Sequence, residues 1–253
     1  VIETRPQRTA LVTGAARGIG LAVVRRLLAG GHRVAMTDLD AVELEAAAAT
    51  LPHERVLTLA LDVSQEDAPE RLQKAILARW DPVAILVNNA GVTPKRNGRS
   101  AGLTDLALDE WEFVLRVNLT AQMRMAQRFV PHMGEAGWGR VVNLSSRAGR
   151  SASTSSGPAY MSAKAGVLGL TRAIASEFGR FGVTANAVAP GLVDTLMTQA
   201  ISEDLRARIR STTPVGRSGT PDEIAAIVAF LASPDAGFIT GACIDANGGA
   251  FMC

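Results

Sequence analysis

Tyrosine occurs once in this chain, cysteine twice and histidine three times, among 253 residues. The histidines, His32, His53 and His132, are too few and too scattered to build a metal site, and Cys243 and Cys253 lack ligand or redox spacing. No metal is therefore expected, and both thiols read as reduced, as in a cytoplasmic protein. Aromatic residues make up 4% of the chain, which leaves no obvious aromatic box for a steroid. Apolar runs such as 83–87 are far shorter than the ~20 residues that cross a bilayer. Residues 1–8 are polar and lack the apolar core of a signal peptide, and a valine at position 1 suggests a missing methionine. Formal charge is +2, with no basic run that would track a nucleic-acid backbone. The absences leave a soluble enzyme-sized domain, expected to bind neither nucleic acid nor membrane.

What is present is alternation. Apolar, β-branched runs at 10–13, 33–37, 56–61, 84–87, 140–144, 184–189 and 243–245 predict seven strands. Helical patterns lie between them near 19–29, 41–50, 65–80, 109–133, 158–181 and 221–232. This order predicts an α/β, doubly wound Rossmann fold, a parallel seven-stranded sheet with helices on both faces. The strands carry few alternating polar residues, as expected when both faces are buried. No linker divides the chain, so residues 1–253 are expected to form a single Rossmann-type domain. Two segments, 92–107 and 192–214, read as irregular site loops, the second as the substrate loop.

The turn from Thr13 through Gly14, Arg17, Gly18 and Ile19 to Gly20 follows the first strand and opens the first helix. Glycines there let a pyrophosphate approach backbone N–H groups at a helix N-terminus. Asp38, followed by Leu39, ends the second strand, where a carboxylate accepts from an adenosine ribose and repels the extra phosphate of NADP. Asp62 and Val63 end the third strand, and Asp62 also reads as a helix N-cap beside Ser64.

Tyr160 stands four residues before Lys164 on a helical pattern, so both side chains share one face. An ammonium near a phenol lowers a pKa that is ordinarily about 10, which gives a general acid/base for carbonyl–alcohol chemistry. The motif is short, and a half-buried tyrosine beside a solvated lysine would produce it too. With the glycine turn and Asn88-Asn89-Ala90-Gly91, the chain resembles the short-chain dehydrogenase/reductase family from residue 9 to residue 249.

That resemblance implies a catalytic set of Asn118, Ser146, Tyr160 and Lys164, with Ser145 as the structural neighbour of Ser146. The gap from Ser146 to Tyr160 is one residue longer than the commonest form, so the two serines remain alternatives at this point. Asn118 is implied to distort its helix and hold a water linking the lysine to solvent. The cofactor is implied to lie along Gly14, Arg17, Gly18, Ile19, Gly20, Asp38, Leu39, Asp62, Val63, Asn89, Ala90, Gly91, Tyr160 and Lys164, then along Pro190, Gly191, Val193 and Thr195. NAD is expected over NADP because of Asp38, although Arg17, a basic residue in this loop, often accompanies NADP in similar proteins. An aspartate is usual where Asn247 stands.

The implied reaction interconverts a secondary alcohol and a ketone by hydride transfer, with Ser146, Arg147 and Tyr160 at the substrate. Arg96, Arg99, Arg147 and Arg150 near the site tilt the expectation toward a small polar or anionic substrate, such as a sugar acid, keto or hydroxy acid, or polyol. The alternatives are an NADPH-dependent 3-oxoacyl-(acyl carrier protein) reductase and a non-catalytic dinucleotide sensor. Similar proteins form tetramers through the long helices at 109–133 and 158–181, and a homotetramer is expected here.

Overall fold

The computed structural model describes residues 7–96, 98–153 and 155–252. Residues 1–6 and Cys253, on which the start-residue, signal-peptide and second-thiol expectations partly fall, lie outside the described residues. Seven parallel strands form one sheet: β1 (Thr9–Thr13), β2 (Arg33–Asp38), β3 (Val56–Ala60), β4 (Val83–Asn88), β5 (Gly139–Leu144), β6 (Val183–Pro190) and β7 (Cys243–Ala246). Their spatial order is β3-β2-β1-β4-β5-β6-β7. The chain winds outward from β1 in one direction and from β4 in the other, leaving a crevice at the carboxyl ends of these two strands.

Alternate side chains of the strands feed two separate cores. Ala10 and Val12 of β1 pack with Val34, Met36, Val142 and Val188 against α1 (Gly18–Ala29) and α9 (Pro221–Leu231). Leu11 packs with Ala35, Val141 and Ala185 against α3 (Ala68–Leu77), α5 (Ala121–Glu135) and α6 (Pro158–Phe178). Burial on both faces is why these strands read as continuous apolar runs. α2 (Ala41–Ala48) covers the β2–β3 edge, its N-cap Asp40 accepting from Glu43 N–H at 3.0 Å.

Three predicted elements differ in detail. The helix expected over 65–80 begins at Ala68, because Asp62 uses its carboxylate on a turn, accepting from Ser64 N–H at 2.8 Å, rather than capping a helix there. The helix expected over 109–133 is α4 (Leu108–Leu115) and α5, joined by a π-helical turn over Arg116–Thr120. The loop expected over 192–214 contains α7 (Leu196–Gln199) and α8 (Glu203–Thr212). A capping box between Thr195 and Thr198 starts α7, and α8 is polar on nearly all sides, so neither shows an apolar stripe. On α6, Ala163 is buried and Gly166 packs on Leu119 of the same chain, whereas nothing lies within 4 Å of a Cβ built on Gly169. Among the described residues no helix is long and apolar enough to cross a membrane.

Candidate active site

The crevice is built on the glycine turn. Gly14 and Gly18 have φ of 63° and 55°, which side-chain-bearing residues adopt at a cost. Gly20 is required for a different reason: a Cβ there would lie 2.0 Å from Gly14 O, which is backbone and cannot yield. Asn89 fastens the turn, its Nδ2 donating to Thr13 O at 3.0 Å and Gly14 O at 2.9 Å. Thr13 Oγ1 returns the contact, accepting from Asn89 N and Ala90 N at 3.0 Å each. The next residue of this signature, Gly91, is held close to the catalytic side, since a Cβ there would meet Asn118 Oδ1 at 2.6 Å. Asn89 thus shapes the cradle through its side chain. Ile19, half-buried, sits in the first turn of α1, where no side chain caps the free N–H groups. Those groups, unfilled by any Cβ from the glycines, fit a pyrophosphate.

At the end of β2, Asp38 faces the same turn. Its carboxylate accepts from Ala16 N–H at 3.0 Å and from Leu39 N–H at 2.8 Å. Leu39 itself is largely exposed. Arg17 turns to α2, where Nη1 meets Glu43 Oε2 at 2.5 Å, so its charge is matched by a carboxylate. With Asp38, Asp40 and Glu43 around one arginine, this end of the crevice is acidic. Val63 is buried, and Asp62 beside it is half-exposed. Burial raises the Asp62 pKa, but hydrogen bonds from Ser64 and Gln65 and the charge of Arg116 outweigh it, holding the carboxyl below its ordinary value.

The other end gathers the four residues of the catalytic expectation. Asn118 is fully buried inside the π-helical turn. It grips the backbone of Val92 in both senses, Nδ2 donating to Val92 O at 2.9 Å and Oδ1 accepting from Val92 N at 3.0 Å. It also donates to Val114 O at 3.0 Å, so the widened turn is tied to the loop after Gly91. Ser145 and Ser146 point different ways. Ser145 Oγ is buried and donates to Lys164 O at 2.7 Å, whereas Ser146 Oγ accepts from Ala148 N at 3.1 Å and Ser146 lines the cleft with Tyr160. Geometry thus separates the two serines, with Ser146 on the cleft side.

Lys164 is 3% exposed and donates to Leu144 O at 2.7 Å. Its Nζ lies 5.7 Å from the centre of the Tyr160 ring. Burial lowers its pKa to about 8, which leaves it mostly charged at pH 7. The expected lowering of the Tyr160 pKa is absent from this geometry. Burial raises it above 10, and the hydrogen bond with Ser146 opposes that only in part. One of the lysine's three protons goes to Leu144 O. Behind the site, Asn88 Nδ2 donates to Asn143 Oδ1 at 2.8 Å and Asn143 Nδ2 to Thr171 Oγ1 at 3.0 Å, a buried polar chain that sequence reasoning did not single out.

Ser146 and Tyr160 open into a cleft between the strand ends and the segment after β6. Pro190 and Gly191 form its floor, and Met197, Thr198, Ile201 and Ile209 from α7 and α8 form one wall. Gly191 is obligatory there, because a Cβ would stand 2.9 Å from Asn247 Cα. Asn247 spends its amide on its own tail, donating to Phe251 O at 3.1 Å and accepting from Gly249 N at 3.0 Å. Val193 is buried and pairs with Gly219, and Thr195 sits over the glycine turn, its Cγ2 3.3 Å from a Cβ built on Gly18. The two ends of the expected cofactor track therefore meet.

Of the arginines expected at the substrate, only Arg147 lines the cleft. Arg96 pairs with Glu110 at 3.0 Å and Arg150 with Asp245 at 2.9 Å. Arg99 contributes backbone only, exchanging N–H and C=O with Arg96. The cation that does enter is Lys95, which sequence reasoning missed. Among the described residues no group of three or more His, Cys, Asp or Glu could hold a metal.

Residues 14–250 match the family model described as enoyl-(acyl carrier protein) reductase. The chain is 41% identical over 246 residues to an acetoacetyl-CoA reductase from Shinella zoogloeoides, covering 97% of this chain and 99% of the relative. It is 40% identical over 248 residues to a 3-oxoacyl-(acyl-carrier-protein) reductase from Vibrio harveyi, covering 97% and 98%. Among solved structures it superposes on a 3-oxoacyl-(acyl-carrier protein) reductase with bound NAD from Brucella melitensis, with TM-score 0.91, 33% identity, and coverage of 99% of this chain and 93% of that one.

Proposed function

This chain belongs to the short-chain dehydrogenase/reductase family, oxidoreductases of carbinol and keto groups. From that premise, we propose that it reduces a 3-oxoacyl thioester to the 3-hydroxyacyl thioester, reversibly, with NAD(H) as the cofactor. The reaction is ketone + NADH + H⁺ ⇌ secondary alcohol + NAD⁺. The observation that carries it is that Ser146 and Tyr160 line one cleft, with Lys164 buried behind. The relatives' names carry the substrate. A small sugar acid or polyol, the first expectation from sequence, takes second place, because three of the four arginines behind it do not line the cleft.

Bound along the glycine turn, a nicotinamide dinucleotide supplies or accepts the hydride. The chain's own residues do the rest. Ser146 Oγ orients the substrate oxygen, and Tyr160 holds the proton that this oxygen takes up on reduction. A phenol kept protonated by burial suits that direction. Lys164 keeps positive charge near the phenol, so the phenolate left by proton transfer is stabilised. Gly14, Gly18 and Gly20 with the N-terminus of α1 receive the pyrophosphate. Asp38, aimed by Ala16 N–H, accepts from the ribose hydroxyls and disfavours a 2′-phosphate. Arg17, already matched by Glu43, offsets Asp38 less than its position in the turn suggests.

The test is consumption of NADH and NADPH with acetoacetyl-CoA, followed at 340 nm. The expected result is turnover with kcat/KM for NADH about tenfold or more above that for NADPH. Turnover with NADPH alone would mean that Arg17 outweighs Asp38. No turnover of the thioester beside oxidation of sugar acids or polyols would overturn the substrate.

A further inference from the structure

Lys95 stands on the loop after Gly91 and reaches the cleft that Ser146 and Tyr160 line. Its ammonium donates to Ser100 Oγ at 2.9 Å and, in a close contact, to the backbone carbonyl of Ser155. Both partners are neutral. An ammonium has three protons to donate, so one is left over after these two bonds. Arg147, the other cation on the cleft, is likewise held by neutral groups, Ser151 Oγ at 3.3 Å and Ala152 O at 3.2 Å. Nearby arginines that point elsewhere have carboxylates: Glu110 for Arg96 and Asp245 for Arg150. Among the described residues no aspartate or glutamate lines the cleft. Two cations without a counter-anion, one of them partly buried, leave a place where a negative group gains more than it would in water.

We propose that Lys95 is a specificity-determining residue that binds a carboxylate on the substrate, so that the cleft takes unesterified keto and hydroxy acids in addition to thioesters. The inference rests on the reaction centre assigned above but not on the thioester reading. The redox step is unchanged: the carbonyl carbon gains hydride from NADH, the carbonyl π bond gives way to an O–H bond, and the carboxylate takes no part in bond making. The lowered pKa of Lys95, which follows from its burial, fits an ammonium that a bound anion would stabilise.

The experiment compares acetoacetate, its methyl ester and acetoacetyl-CoA as substrates with NADH, in wild type, Lys95→Met and Lys95→Arg. Wild type is expected to prefer the free acid to the methyl ester. In Lys95→Met the acid-to-ester ratio of kcat/KM should fall about 30-fold, mainly through KM for the acid, and Lys95→Arg should restore part of it. NADH binding and the circular dichroism spectrum report whether the variants fold. A ratio unchanged within twofold in Lys95→Met, with both substrates slowed together, would overturn the proposal and reduce Lys95 to a tie between the loops carrying Ser100 and Ser155. Turnover of ester and thioester without any of the acid would also overturn it, leaving the reaction centre standing. Failure of wild type on all three compounds would overturn this proposal together with the thioester reading.

Discussion

Tyr160→Phe is expected to lower turnover of the thioester by about a thousandfold, roughly 4 kcal/mol in the barrier, while NADH binding stays within a few-fold. The change removes one oxygen from a partly buried ring, so packing with Val114, Ala159 and Ala163 is kept. It also removes the only phenol in the chain, and no other tyrosine can substitute. His32, His53 and His132 lie outside the cleft, so no imidazole is placed to take over the proton. Ser146 keeps its bond from Ala148 N–H and can still orient a substrate oxygen, but the proton must then come from water. Stopped-flow turnover and NADH fluorescence titration on one preparation separate the two effects. A loss of turnover below tenfold would remove Tyr160 from the chemistry.

Lys164→Met is expected to lower turnover about a hundredfold and to change how stability depends on pH. Without the ammonium, the phenolate formed at Tyr160 has no cation behind it, and Leu144 O loses a donor. The pH effect follows from burial. Lys164 has its pKa lowered from 10.5 to about 8 in the folded chain. Below pH 8 folded and unfolded forms both carry the proton, and stability does not respond. Between pH 8 and 10.5 only the unfolded chain keeps it, so the stability contributed by this residue rises with pH, by about 3 kcal/mol over the window. Above pH 10 Tyr160 acts in the opposite sense, because its raised pKa keeps the folded form protonated after the unfolded one has ionised. Urea unfolding of the protein without nucleotide, at intervals from pH 7 to 10, should show a rise in wild type that Lys164→Met lacks. Parallel curves for the two proteins would mean that Lys164 is more solvated than its 3% exposure implies.

Much of this site was legible before the fold, and the reason differs from part to part. The turn from Gly14 to Gly20 is readable because a strand and a helix flank it in sequence, and steric need at Gly20 is local. The central strands are readable because they are buried on both faces, whereas the edge strands β3 and β7 are only partly buried. Asn118 stood out as a polar residue among apolar neighbours on a helix, but the π-helical turn it occupies depends on its bonds to Val92, 26 residues away. α8 went unread because it buries none of its residues, although its run of Glu, Leu, Arg and Ala favours a helix on propensity alone. Arg150 was placed near the substrate because its partner is distant in sequence: Asp245 lies 95 residues after it. Lys95 was overlooked for the same reason, since its contact to Ser155 spans 60 residues and only the folded loops bring it into the cleft. The raised pKa of Tyr160 depends on burial, which a four-residue spacing does not contain.

The most direct test of the central claim is to follow the hydride itself. NADH carrying deuterium at both C4 positions is mixed with acetoacetyl-CoA and the enzyme, and the 3-hydroxybutyryl product is weighed by mass spectrometry. Direct transfer at the Ser146–Tyr160 centre predicts a product heavier by one deuterium on the carbinol carbon, formed by wild type and nearly absent with Tyr160→Phe. A product without the label, or equal labelled product from Tyr160→Phe, would contradict it.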